Sequence, residues 1–387
     1  MNTFETDKTY IASTYKRFPV EIVSGKGSIL KGQDGREYID LGSGIGVNVF
    51  GAGDEEFKAA VISQLDMIQH TSNLYYSKPC TELAEELCKR TGMKKAFFSN
   101  SGAEANECAI KVARKYASEK KGPEYSTIIT LKNSFHGRTL TTLAATGQDV
   151  FHRLYTPLTP GFVHVEAGNM QEFIKACEEN RVAGILMECV QGEGGVVPVD
   201  AGYISDVAAY CRENDILFMV DEVQTGNGRT GKLYSYMHFG VEPDVVSTAK
   251  GLAGGLPIGA CLMGNKAADV FSPGDHGSTF GGNPVSCAAA LSIIRRIDDD
   301  LLNEVVDKGN MVREMLAGEE SIESVTGLGL MLGIKTLKKA SDVIAECIEN
   351  GVLPLAAKDK VRLLPPLNIP KDTLKKAVEV IIRSSRS

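Results

Sequence analysis

The sequence predicts an α/β protein in which a large domain, with a mainly parallel sheet between helices, is followed by a smaller α+β domain. Three observations carry that expectation. From about residue 95 to 263, short and nearly continuous apolar runs such as Ile216-Leu-Phe-Met-Val-Asp221 alternate with helical segments, as strands covered on both faces do. After about residue 280 the texture changes to longer helices separated by short strands. The 387 residues are 43% hydrophobic and 24% charged, an ordinary globular balance in a chain long enough to bury a substantial core.

In chain order, residues 1–50 hold turn signals and short strand candidates, among them Asp34-Gly35 ahead of Glu37-Tyr-Ile-Asp-Leu41, and are expected to join the smaller domain. The large domain is expected over residues 51–275. Apolar spacing predicts helices over Glu55–Ile68, Cys80–Arg90 and Ala103–Ser118, the last with Ala109, Val112, Ala113 and Tyr116 on one face. Strands are expected at Ala96–Ser99, Thr127–Leu131, Gly184–Glu188, Ile216–Asp221 and on both sides of Lys250. Residues 276–387 are expected to form the smaller domain. Its helices are placed at Pro284–Ile297, Leu301–Leu316, Ala340–Asn350 and Asp372–Arg386, with strands at Leu330–Ile334 and Val361–Leu364.

A net charge of −7 argues against nucleic acid as the main partner. The nine cysteines are scattered, without a C-x-x-C pair, and several lie in apolar runs, which points to core thiols in a reducing compartment. Met1-Asn-Thr-Phe-Glu-Thr-Asp7 lacks a signal pattern and no apolar run approaches membrane-spanning length, so the cytoplasm is expected and a membrane is not. No His/Cys/Asp spacing suggests a metal site.

Seven stretches can carry chemistry, and each also has a plain structural reading. Asp244-Val-Val-Ser-Thr-Ala-Lys250 ends an apolar run in a lysine. Burial costs an ammonium heavily, so Lys250 either works as a neutral amine or snorkels to solvent. Phe98-Ser-Asn-Ser-Gly-Ala103 is a strand-turn-helix junction whose N–H groups can hold a phosphate, with Gly102 allowing close approach; alternatively, Ser101 and Glu104 close a capping box. Phe135-His-Gly-Arg138 offers a ring to stack on a planar group and a guanidinium to grip a carboxylate, or is a loop with one surface arginine.

Glu188 ends a strand and Glu193 sits in a glycine-flanked turn; both can face a cleft or remain turn carboxylates. Asp221 closes an apolar strand where open α/β sheets place ligand groups, and a buried carboxylate there needs a cationic partner. Ser278 and Thr279 precede a helix beginning near Pro284, as phosphate ligands or as caps. Arg362, inside a short apolar strand, also needs an anion. Gly226-Asn-Gly-Arg-Thr-Gly231 matches G-x-G-x-x-G, but the following residues do not read as a capped helix, so a nicotinamide-dependent oxidoreductase stays a remote alternative.

In this order, the turn at Ser101, Phe135-His-Gly-Arg138, Gln191-Gly-Glu193, Asp221 with Gln224, Lys250 and Ser278-Thr-Phe-Gly-Gly-Asn-Pro284 resemble the class III (ω-amino) pyridoxal-phosphate-dependent aminotransferases over about residues 15–367. Tyr15-x-Arg17-x-Pro19, Gly44-Ile-Gly-Val-Asn48, Ser72-Asn-Leu-Tyr-Tyr76 with Pro79 and Val361-Arg-Leu-Leu-Pro-Pro366 are most similar to the members that act on acetylornithine. The resemblance implies a fold-type I transferase with a seven-stranded sheet in the large domain. It implies transfer of the δ-amino group of N2-acetylornithine to 2-oxoglutarate, with ornithine, succinylornithine or N-succinyl-diaminopimelate as alternative donors.

It further implies that Lys250 carries the cofactor and shuttles a proton, and that Asp221 pairs with the ring nitrogen. Gln224 approaches the ring hydroxyl, Phe135 stacks on the ring and Glu188 belongs to the cofactor site. Ser101, Gly102 and Ala103 hold the phosphate with Thr279 from a neighbouring subunit, hence a homodimer. Arg138 grips a substrate carboxylate, with Ser278 near the substrate, and Glu193 with Arg362 forms a switch pair. The chain departs from the family pattern at Phe50-Gly-Ala-Gly-Asp54, Cys189 and Thr326, none of them carried-over site residues. Gly44, where ornithine-specific members carry tyrosine, leaves room for an acylated α-amine.

Overall fold

The structure, a computed structural model, describes residues 2–386. Its centre is a seven-stranded sheet in the order Lys95–Ser99, Gly259–Met263, Val245–Thr248, Leu217–Asp221, Val182–Met187, Thr127–Leu131, Phe162–Val165. Gly259–Met263 runs antiparallel to both of its neighbours, and the other strands are mutually parallel. Every residue of Val182–Met187 and Leu217–Asp221 is buried, which is why these runs read as continuously apolar rather than alternating.

Helix Gly102–Lys121 covers one face, with the predicted Ala109, Val112, Ala113 and Tyr116 all buried. Helix Ala201–Glu213 packs on Leu217–Asp221 through a stripe that includes Tyr203, Ile204, Val207 and Cys211. Its first turn is closed by Asp200, which accepts the Tyr203 N–H. The predicted strands and long helices are present to within a few residues at each end. Sequence patterning had not placed the edge strand Phe162–Val165 or helix Met170–Glu179.

The N-terminal strands Ile22–Lys26, Ile29–Gly32 and Glu37–Asp40 form an antiparallel sheet to which Val352–Leu353 adds in parallel. A second antiparallel sheet, Ile322–Leu328, Met331–Thr336, Lys360–Leu363 and Leu355–Ala357, lies against helices Asp299–Leu316 and Ala340–Glu349. Helix Lys371–Ser385 packs on both of these helices. Helix Pro284–Ile294 instead packs on Glu55–Leu65 and Lys78–Thr91 and on the turn that starts at Lys250.

The G-x-G-x-x-G stretch is a run of turns followed by a 3-10 turn at Ser235–His238, so it lacks the helix N-terminus that dinucleotide binding requires. Its Arg229 is buried and donates to the carbonyls of Leu330 (3.2 Å) and Pro365 (2.6 Å), tying this loop to the C-terminal part of the chain.

Gly309, in the interior of Asp299–Leu316, lies against backbone: a Cβ there would sit 2.3 Å from the Gly329 carbonyl oxygen. An exposed helical glycine replaced by alanine gains about 0.5–1 kcal/mol. Here the sign is expected to reverse, because the helix must move off a carbonyl that cannot rotate away. Gly309→Ala should lose about 1–3 kcal/mol in urea denaturation, the range for overpacking.

Candidate functional site

Because six of the seven strands are parallel, their carboxyl ends share one edge, and the polar junctions after them converge there. A cleft of about 600 Å³ opens at this edge, lined by Asn100 to Ala103, Phe135 to Arg138, Glu188, Asp221, Gln224 and Lys250 among others. Val245–Thr248 ends and Gly259–Met263 begins on the same edge, so the glycine-rich loop between them is held across the cleft.

Lys250 does not sit at the strand end as expected. The strand stops at Thr248, and Lys250 opens a 3-10 turn with φ +46°, a left-handed conformation that is strained for a non-glycine residue. No hydrogen bond or ion pair engages its amine among the described residues. Burial lowers its pKa, opposed in part by the nearby carboxylates of Glu193 and Asp221. The snorkelling alternative is thereby excluded, since the side chain ends inside the cleft.

Asp221 is 3% exposed, and its partners are neutral donors and an imidazole rather than a lysine or arginine. Oδ2 accepts from Asn106 Nδ2 at 2.7 Å and lies 2.8 Å from His136 Nδ1, while Oδ1 accepts the Val223 N–H at 2.9 Å. Asn106 is held in turn by Ser247 Oγ, which donates to Oδ1 at 2.5 Å. Neither Asn106 nor His136 was assigned a role from the sequence, although Asn106 lay in the predicted helix Ala103–Ser118 and His136 in a singled-out stretch. The available signal for Asn106 was an amide on the otherwise apolar face of its helix, since a buried amide requires partners.

At the helix start, Ser101 Oγ accepts the Glu104 N–H at 3.3 Å, but the Glu104 carboxylate accepts the Asn100 N–H rather than that of Ser101. The expected capping box is therefore open. The N–H groups of Gly102 and Ala103 keep no partner among the described residues, and both residues line the cleft. Gly102 also has a packing reason, because a Cβ would lie 2.6 Å from Val223 Cγ1.

Glu188 is buried. Its oxygens accept the Phe135 N–H at 3.0 Å and the Gly192 N–H at 3.1 Å, which fastens the Phe135 loop to the Glu193 turn. Burial pushes its pKa up to about 7. Arg362 Nη1 lies 2.5 Å from Glu193 Oε1, so the anion that a strand-borne arginine demanded is Glu193. Burial works against ionisation of Glu193, but Arg362 outweighs it and holds the carboxyl below its ordinary range.

Gln224 is committed to this pair: its Oε1 accepts from Arg362 at 3.1 Å and its Nε2 donates to Glu193 at 3.3 Å, rather than pointing freely at a ring hydroxyl. Arg138 is exposed at the cleft, with its guanidinium over aromatic rings.

Ser278 and Thr279 are not brought into the cleft of their own chain. Ser278 Oγ accepts from Asn100 Nδ2 (3.2 Å) and from the Gly281 N–H (2.9 Å), and Thr279 is exposed. Nor do they cap the following helix, whose cap is Asn283. Tyr15, noted in the sequence only as part of a motif, lines the cleft.

The residues present fit pyridoxal phosphate. A pair of free N–H groups at a helix start suits a phosphate, a buried carboxylate suits a ring nitrogen, and an unpaired amine suits an aldehyde. All three open on one cleft of adequate volume.

Residues 10–384 match the family model described as aminotransferase class-III. The chain is 48% identical to the acetylornithine aminotransferase of Haemophilus ducreyi, covering 97% of this chain and 96% of that one. It superposes on the N-acetylornithine aminotransferase of Stenotrophomonas maltophilia with a TM-score of 0.85 and 32% identity, covering 98% of each chain. A Toxoplasma gondii ornithine aminotransferase, described with partial occupancy of PLP at its active site, superposes with a TM-score of 0.94 and 30% identity. There the coverage is 99% of this chain and 93% of that one.

The raised pKa of Glu188 has a defined effect on stability. Its folded value of about 7 exceeds the reference 4.5, so the folded state keeps a proton that the unfolded chain releases. The contribution is complete below pH 4.5 and is lost as pH rises through about 7. Glu188→Gln has no proton to lose. Its unfolding free energy is expected to be lower overall, from the mismatch with two N–H donors, but flatter with pH between 5 and 8 than that of the parent chain in parallel urea titrations.

Proposed function

The chain belongs to the class-III aminotransferases, and from that premise we propose that it moves the δ-amino group of N2-acetylornithine to 2-oxoglutarate, giving N-acetylglutamate semialdehyde and glutamate. This is a step of arginine biosynthesis, placed in the cytoplasm. The observation that carries the reaction type is the meeting of Lys250, Asp221 and the free N–H pair of Gly102 and Ala103 on one cleft. The choice of donor is supported by the acetylornithine relative at 48% identity. Pyridoxal phosphate, when bound, supplies an aldehyde to take up the amino group and a pyridine ring to draw electrons from the carbon beside it.

The chain's own residues supply the rest. Asp221, hydrogen-bonded by Asn106 and by the Val223 N–H, would hold a proton on the ring nitrogen. Ser101, Gly102 and Ala103 would hold the phosphate, with Phe135 against the ring and with Gln224 and Glu188 beside it. Lys250, whose neutral amine form burial favours, is the base that takes the proton from the substrate carbon and returns it elsewhere. Arg138, engaged by no anion among the described residues, grips a substrate carboxylate, with Ser278 near the mouth of the site.

Glu193 occupies Arg362 while the ω-amine donor is bound and yields it to the α-carboxylate of glutamate. One cleft thus serves two substrates of different shape through a movable charge. We place Thr279 of a second copy at the phosphate. Thr279 neighbours the exposed Phe280, and its loop is bound to Asn73 beside the exposed Leu74, Tyr75 and Tyr76, an apolar surface suited to a homodimer.

Lys250→Ala is expected to lower transamination at least about 10³-fold without rescue by added cofactor, in line with loss of a general base. Across acetylornithine, ornithine, succinylornithine and N-succinyl-diaminopimelate, kcat/KM should be highest for acetylornithine; a higher value for ornithine would reassign the donor. Single-turnover assays of Glu193→Ala should show the ω-amine half-reaction slowed more than the glutamate half, whereas equal slowing removes the switch role.

A further inference from the structure

Arg138 has a property its proposed role does not explain. It is a cation at the mouth of the cleft, and neither a hydrogen bond nor an ion pair holds its guanidinium among the described residues. Its position is set by rings: the guanidinium carbon lies 4.5 Å from the centroid of Phe151 and 5.7 Å from that of Phe135. Phe151 meets Phe135 edge to face at 5.8 Å and 72°.

The turn that carries Phe151 is fixed to the loop that carries Arg138. Ser134 accepts from Gly147 N–H at its hydroxyl (3.0 Å) and from Gln148 Nε2 at its carbonyl (2.9 Å), and the Phe151 N–H donates to the Gln148 carbonyl (3.0 Å). Phe151 is half-buried, so this face is a fixed part of the site.

We infer that Phe151 is a positioning residue for substrate carboxylates: its ring face holds the Arg138 guanidinium in place without neutralising it. The inference rests on the clamp role proposed above for Arg138. An acidic partner would orient the guanidinium equally well but would compete with every incoming carboxylate. An aromatic face orients it through the ring quadrupole and leaves the N–H fork open for bidentate binding. Because Phe151 also abuts Phe135, the carboxylate clamp and the ring that lines the cofactor side of the cleft share one aromatic support.

The test uses the holoenzyme and compares Phe151→Leu with Phe151→Tyr, which keeps the ring face. Phe151→Leu should raise KM for both acetylornithine and 2-oxoglutarate about two- to five-fold, the range of an exposed cation–π contact, with kcat within about two-fold of the parent. The Kd of glutarate, an unreactive dicarboxylate, should weaken by the same factor in calorimetry. Turnover of a simple alkylamine without a carboxylate should not change, and Phe151→Tyr should match the parent.

Equal losses with the alkylamine would show general damage to the cleft and overturn the inference, as would a Phe151→Tyr no better than Phe151→Leu. Arg138→Ala separates the two levels. If it weakens glutarate and Phe151→Leu does not, the positioning role alone is wrong; if Arg138→Ala leaves glutarate binding unchanged, the clamp itself is wrong.

Discussion

A carboxylate buried at the carboxyl end of a parallel strand is the constraint from which the rest of the site follows. Asp221 lies in the most protected part of the sheet, where an unsatisfied charge is strongly destabilising. Its partners come from three places: Asn106 from the covering helix, His136 from a neighbouring strand-end loop and the N–H of Val223 from its own turn. Satisfying Asp221 therefore fixes that helix and that loop against the strand. The same helix presents the free N–H pair at its start, and the same loop presents Phe135 and Arg138. One buried charge thus coordinates groups drawn from more than 100 residues of chain.

None of the donors to Asp221 is a lysine or arginine. Hydrogen bonds from an amide and a backbone N–H, with an imidazole alongside, satisfy the carboxylate oxygens without a lysine or arginine among the described residues. The charge remains available to whatever occupies the cleft. Arg362 shows the opposite arrangement, since Glu193 balances it directly at 2.5 Å and Gln224 bridges the pair. The site therefore contains one anion left available and one cation already answered, a difference in polarity that determines which charge an entering ligand can meet without rearrangement.

Much of this was legible in the sequence because it depends on strand patterning. The fully apolar runs identify parallel strands, parallel strands put their ends on one edge, and polar residues at those ends must then converge. Asp221, Glu188 and the Ser101 turn followed from that logic, and the arginine in an apolar strand demanded an anion that proved to be Glu193. What pattern could not supply was the direction of side chains within turns. Glu104 takes the N–H of Asn100 rather than that of Ser101, Gln224 turns to the ion pair, and Gly102 answers to Val223 across the junction. Each of these depends on contacts between segments far apart in sequence, and no local spacing encodes them.

Lys250 brings the two kinds of information together. Sequence placed it on a strand, where the burial cost of an ammonium left either a neutral working amine or a solvent-seeking side chain. The structure moves it two residues beyond the strand into a left-handed backbone conformation at the start of a turn. Such a conformation costs on the order of 1–3 kcal/mol and persists only where the surroundings impose it. They do so here: Asn227 Nδ2 donates to the Ala249 carbonyl at 3.1 Å and to Thr248 Oγ1 at 3.2 Å, fixing the chain just before the lysine. Asn227 belongs to the glycine-rich stretch whose pattern suggested a dinucleotide site. That stretch folds instead as a brace, with Asn227 holding the lysine turn and Arg229 holding the C-terminal carbonyls. Its glycines sit where a Cβ would collide with Tyr234, Leu367 and Val306, so they let the support of the Lys250 turn pack closely.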